Sequence, residues 1–230
     1  MTTVFAHRGA HLHDRENTLV AFRNAVALGV AGVELDVRKT LDGALVVHHD
    51  PTIGPRAIAH LNARDLPAYV PTLEAALDAL VGVTVNVEIK NMKHRSEPTY
   101  DESGDFVREV LDLAHAKRRD SSVVLSCFDL ATCVVARTYD PAMNVGWLVR
   151  HGPLAEALEH ARELNLSAVN PHFTMVKPAS QQRASELELS LNVWTVNEPA
   201  DITAMAALGV ASIITDQPAL ALELLGRESH

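Results

Sequence analysis

Eight short apolar runs, each bounded by turn-forming residues, predict β-strands: TVFAH, GVELDV, VTVNVEI, SVVLSC, NVGWLV, SAVNP, LNVWTV and ASIITD. Seven amphipathic stretches lie between them: TLVAFRNAVALG, TLEAALDALVG, DFVREVLDLAHAKR, DLATCVVART, LAEALEHARELN, PASQQRASELEL and PADITAMAALG. QPALALELLGR closes the chain as an eighth helix. Strict alternation of strand and helix implies parallel strands joined by crossovers, and eight such units in 230 residues predict a closed (β/α)8 barrel, a TIM barrel, as a single α/β domain over residues 1–230. The alternative is an open doubly wound sheet. The barrel is favoured by the unit count, the lack of a Gly-rich nucleotide loop, and polar residues gathered at the C-terminal ends of strands. The second unit is irregular: LVVHH follows a TLDG turn before the next helix, so an accessory strand or extended loop is expected there.

Period-two spacing places Glu34 and Asp36 on one strand face, with Val33, Leu35 and Val37 on the other. The next long strand repeats the arrangement in NVEIK, where Glu88 and Lys90 share a face. Three carboxylates then converge at one rim of the barrel. Burying like charges is costly without a positive partner, and oxygen donors suit a hard divalent cation, so one Mg or Ca ion is implied, with Mn or Co able to substitute. The competing reading pairs these acids with Lys39, Arg38 or Lys90 in ordinary ion pairs. AHRG ends the first strand with His7 and Arg8, and Gly9 allows the chain to turn and approach a ligand closely. His49 arrives from the second unit. Two imidazoles beside a metal can take and give protons near neutral pH, while Arg8 and Lys90 supply the fixed positive charge that holds a phosphate. Most other histidines, among them His11, His48, His94, His172 and His230, get the ordinary reading of surface or satisfied core residues. Asn17 or Thr18 can cap the first helix; Glu16 has no such local task and is either a surface carboxylate or a group turned toward the site.

The net charge of −9 comes from scattered acids, and no Lys/Arg block provides a footprint for nucleic acid. No apolar stretch is long enough to cross a bilayer, so stable membrane insertion is not expected. The first apolar run begins at Val4, leaving no room for a signal peptide, and Cys127 and Cys133 read as buried reduced thiols, so the cytoplasm is the expected compartment. The composition is compatible with a homo-oligomer.

HRG, ENT, GVELDV, TLDG, VVHHDP, PTLEAAL, NVEIK, VWTVN and GVASIITDQP, in this order and spacing from Val4 to Pro218, resemble the glycerophosphodiester phosphodiesterase family. The resemblance implies a metal-dependent TIM-barrel enzyme that hydrolyses small glycerophosphodiesters to sn-glycerol 3-phosphate and an alcohol. It makes His7 and His49 an acid/base pair, Glu34, Asp36 and Glu88 metal ligands, Arg8 and Lys90 phosphate contacts, and Trp194 a pocket-lining aromatic. Arg15 stands where the family usually has proline before ENT, and the segment from Thr52 to Val70 is shorter than the family's usual helical cover. Related lipid phosphodiesterases of the lysophospholipase D or phospholipase C type are the alternative activity. A catalytically silent barrel is the alternative class, and its signature, a lost histidine or carboxylate, is missing.

Overall fold

The computed structural model describes residues 1–93, 99–117 and 122–226. Eight parallel strands close on themselves: β1 (Thr3–His7), β2 (Gly32–Lys39), β6 (Thr84–Ile89), β7 (Val123–Cys127), β8 (Asn144–Val149), β9 (Ala168–Pro171), β10 (Ser190–Val193) and β11 (Ser212–Thr215). Each pairs with its neighbour, and closure is made by β1, which lies between β11 (Ala6 opposite Thr215) and β2 (His7 opposite Glu34). Helices α1 (Leu19–Ala27), α2 (Leu73–Ala79), α3 (Asp105–Ala116), α4 (Leu130–Tyr139), α5 (Leu154–Glu163), α6 (Pro178–Glu186), α7 (Pro199–Leu208) and α8 (Pro218–Leu224) connect the strands or close the chain. Every expected strand and helix is present, and the closed barrel replaces the open-sheet alternative. Arg118, Arg227, His94 and His230, at the ends of predicted elements or among the histidines, lie outside the described residues.

Local chemistry sets the helix starts. The Thr18 hydroxyl accepts the Ala21 N–H at 3.3 Å, Thr72 caps α2 and Asp129 caps α4 in the same way, while Pro178, Pro199 and Pro218 open α6, α7 and α8. Val33, Leu35 and Val37 on β2, with Val85, Val87 and Ile89 on β6, are buried in the layer between strands and helices. The opposite faces of these strands point into the barrel, as the alternation requires.

The irregular second unit is an accessory strand, β3 (Leu45–Val47), paired antiparallel to the end of β2 after the Thr40–Gly43 turn. Beyond it, β4 (Thr52–Ile53) and β5 (Arg56–Ala57) form a small hairpin, followed by single 3-10 turns at Ile58–His60 and Ala63–Asp65. The N-terminal mouth of the barrel holds a cavity of about 220 Å³, lined by Phe5, Asn86, Asn170, Asn192 and Ser212 among others. No helix among the described residues is long and apolar enough to cross a membrane.

Candidate active site

The carboxylates sit where β2 and β6 run side by side. Register sets Asp36 opposite Glu88, and Glu34 lies two residues earlier on the same face, so one oxygen from each of the three falls within 4.8 Å of the others. All three are buried. Burial, then the charges of Asp36 and Glu88, push the Glu34 pKa well above the ordinary carboxylate value. Burial also opposes ionisation of Asp36, but Lys90 and Arg8 outweigh it and hold that carboxyl below its usual range. Two adjacent acids are thereby pushed in opposite directions.

Lys90 accounts for part of this. Its ammonium lies 2.7 Å from Asp36 Oδ1 and also bonds Glu88, so its charge is shared between the two carboxylates. Of the three cations proposed for ordinary ion pairing, Lys90 takes that part for two acids; Lys39 pairs with Glu109, and Arg38 donates to the His49 carbonyl. Glu34 remains short of a partner. Its Oε2 accepts the Arg8 backbone N–H at 3.1 Å, while Oε1 is buried without a hydrogen bond. An orphaned buried carboxylate oxygen beside two further hard oxygen donors fits a divalent cation.

The loop after β1 is built around that cluster. Arg8 and Asn17 both adopt left-handed backbone conformations, at φ 55° and 56°, and the Asn17 N–H donates to the Arg8 carbonyl. This strained pair aims three groups inward. The Arg8 amide reaches Glu34; the Arg8 guanidinium lies 3.2 Å from Asp36 Oδ2 and donates to Glu16 at 2.8 Å; the Asn17 amide donates to Asp36 Oδ2 at 2.7 Å. Thr18, not Asn17, is therefore the helix cap, and Glu16 is the anchor of Arg8. The close approach allowed by Gly9, at φ 88°, is to the α1 backbone: a Cβ there would meet Ala21 at 2.8 Å.

His7 ends β1 with Nε2 3.8 Å from Glu34 Oε2 and Nδ1 2.6 Å from Asp216 Oδ1. His49 follows β3, half-buried, with Nδ1 2.8 Å from Asp50 Oδ1. Burial first, then the charges of Lys90 and Arg8, lower its pKa despite the opposing pull of Asp36. Trp194 stands just beyond β10, edge-on to Phe128 and His172, with the Arg150 guanidinium 5.7 Å from its ring centroid. Thus His7, Arg8, Glu16, Asn17, Glu34, Asp36, Glu88 and Lys90 form one contact network, His49 lies within electrostatic reach of it, and Trp194 lines another part of the same rim.

Asp216 and His11 were not singled out from the sequence. His11 Nε2 lies 3.3 Å from Asp216 Oδ1, so it is neither a plain surface nor a plain core residue. Two signals were available: Asp216 directly follows the last strand at the C-terminal rim, and it lies within the GVASIITDQP run.

The model of the Glycerophosphoryl diester phosphodiesterase family matches residues 7–220. A glycerophosphodiester phosphodiesterase of Caldanaerobacter subterraneus subsp. tengcongensis is 28% identical, covering 97% of this chain and 98% of its own. Among solved structures, a glycerophosphodiester phosphodiesterase from Parabacteroides distasonis superposes with a TM-score of 0.87 at 24% identity, over 98% of this chain and 97% of that one. An Oleispira antarctica phosphodiesterase in complex with the product sn-glycerol-3-phosphate gives a TM-score of 0.85 at 19% identity, over 98% and 97% of the two chains. With a family model spanning nearly the whole barrel, and the carboxylates and histidines gathered at its C-terminal rim, the chain belongs to the Glycerophosphoryl diester phosphodiesterase family.

Proposed function

We propose that the protein hydrolyses small glycerophosphodiesters to sn-glycerol 3-phosphate and an alcohol, with one divalent cation and with His7 and His49 as the proton-transfer pair. Family membership supports the reaction class, and the product complex of the Oleispira antarctica relative supports a substrate of this size. The observation that carries the metal reading is the buried, unpartnered Glu34 Oε1 beside Asp36 and Glu88. Glu34, Asp36 and Glu88 would hold the cation, Mg or Ca with Mn or Co as substitutes, and the bound ion would neutralise charge on the phosphate as it develops in the transition state.

The chain's own groups do the rest. Arg8, buttressed by Glu16, keeps a fixed charge beside the cluster, and Asn17 holds Asp36 in one orientation. His7 and His49 exchange protons with the attacking oxygen and the departing alcohol, each transfer contributing about 10²- to 10⁴-fold. The attacking oxygen in this reading is the substrate's own neighbouring glycerol hydroxyl, which gains from proximity: it displaces the alcohol to form a cyclic phosphate, and water then opens that ring to sn-glycerol 3-phosphate. Trp194 contributes an apolar wall on the far side of the rim. Two free, buried thiols suit a reducing compartment, and the reading puts the protein in the cytoplasm.

The test is a coupled assay for released sn-glycerol 3-phosphate across diesters with choline, ethanolamine and glycerol head groups, with and without chelator. Activity that is lost on chelation and restored by Mg or Ca is expected. Full turnover by exhaustively chelated protein would exclude the metal, and absence of glycerol phosphate with every diester would exclude the substrate class.

A further inference from the structure

Barrel closure places an acceptor beside His7 that lies 209 residues away in sequence. Ala6 is opposite Thr215 across the β1–β11 seam, so the next residues, His7 and Asp216, leave the two strands side by side. Phe5 and Ile214, two positions earlier, both line the cavity within the barrel, so His7 and Asp216 share that inward face.

Hydrogen-bond chemistry then fixes each atom's part. The Asp216 backbone N–H can only donate, so the oxygen of the Asn197 side chain must be the atom that accepts it, at 2.9 Å. The Thr215 hydroxyl reinforces that assignment at 3.1 Å. The Asn197 amide nitrogen is therefore the atom facing Asp216 Oδ2, at 2.7 Å. With Oδ2 occupied, Oδ1 is turned toward the imidazoles of His7, at 2.6 Å, and His11, at 3.3 Å. Burial opposes ionisation of Asp216, but hydrogen bonds from His11, His7 and Asn197 outweigh it and hold its pKa far below the usual carboxylate value. An ionised carboxylate only accepts, so the ring nitrogen facing it, His7 Nδ1, carries a proton, and Nε2, on the side of Glu34, is the atom left to exchange one.

We propose that Asp216, itself oriented by Asn197, is the positioning residue of the reaction: it holds His7 in the Nδ1–H tautomer so that Nε2 is the atom that accepts the proton of the attacking oxygen. This rests on the reading of His7 as a proton-transfer residue and adds the atom, the direction and the supporting pair. No substrate contact by Asp216 is needed.

Asp216→Asn tests it. Asn197 would hold the new side chain's oxygen at the Oδ2 position, so its NH2 would face His7 Nδ1 and drive the imidazole proton to Nε2. Expected are a fall in kcat of about 10²- to 10⁴-fold, a KM within about threefold, the same Mn affinity by calorimetry, and His7 ¹⁵N shifts moving from the Nδ1–H to the Nε2–H pattern. A kcat within about threefold of wild type, or an unchanged tautomer, would overturn the proposal. Should that variant fail to fold, Asn197→Ala retains the carboxylate but releases it; a kcat loss of about tenfold at constant KM is expected, and wild-type turnover would overturn the proposal equally. His7→Ala separates the two levels. If it is fully active, the proton-transfer reading itself fails; if it is inactive while Asp216→Asn is fully active, only the role of Asp216 fails.

Discussion

Replacing Glu34 with Gln should make the metal-free protein no less stable while removing its response to metal. In the metal-free state the Glu34 carboxylate faces those of Asp36 and Glu88 across no more than 4.8 Å between the oxygens that could share an ion. At an effective dielectric near 20, each such repulsion is about 3.5 kcal/mol. Arg8 and Lys90 attract Glu34, but each acts on it more weakly than either acid does, and burial adds to the imbalance. Removing the charge while keeping the shape and the Arg8 N–H acceptor should therefore stabilise the metal-free protein by about 1–3 kcal/mol, a net of opposing Coulomb effects of that size. For a barrel of this length that corresponds to a Tm higher by about 2–12 °C. Should Glu34 instead take up a proton when no metal is present, the gain shrinks toward zero without changing sign. Magnesium at a hundred times its Kd should then raise the wild-type Tm through about 2.7 kcal/mol of linkage, and the Glu34→Gln melt should barely move. Calorimetric melts at pH 7.5, with chelator and with Mg, read both quantities. A metal-free variant melting more than about 4 °C below wild type, or one gaining as much from Mg, would refute the account of Glu34 as a buried charge awaiting a cation.

Two further outcomes test the fold around the site. Gly32→Ala would put a Cβ 2.3 Å from Phe5 Cε1, within the barrel, yet the Phe5 ring borders the 220 Å³ cavity and has room to retreat; a loss near the lower end of the usual overpacking cost, about 1 kcal/mol, is expected by denaturant titration, and a loss above about 3 kcal/mol would show that the ring cannot move. Burial pushes the Cys127 thiol up to about 12, so iodoacetamide at pH 8 should leave it unmodified in the native protein and label it after denaturation, as read by mass spectrometry; rapid native labelling would contradict its placement.

Strand alternation, helix starts and the inward face of β2 were legible in the sequence because they depend on neighbours within a few residues. Period two alone put Glu34 and Asp36 together, and the helical patterns beginning at Thr18 and Thr72 fall where hydroxyl caps reach only three residues ahead. The choice between Asn17 and Thr18 as cap could not be made locally, since both carry suitable oxygens. The left-handed turn at Asn17 decides it by sending that amide to Asp36.

Lys90 shows the limit for charges. Its two-residue spacing from Glu88 was visible, but its ion pair with Asp36 depended on the register between β2 and β6, which sets Asp36 opposite Glu88. His11 and Asp216 lay further out of reach, because their contact exists only once β1 and β11 meet at the closing seam. Sequence by itself determined the kinds of element, their order, and the chemistry available at each strand end, all carried by short-range periodicity and side-chain type. Only the tertiary structure decided which charge neutralises which and which carboxylate orients His7, because hydrogen bonds act over about 3 Å and it is the register of β2 against β6 and the closure of β1 on β11 that bring the partners within that distance.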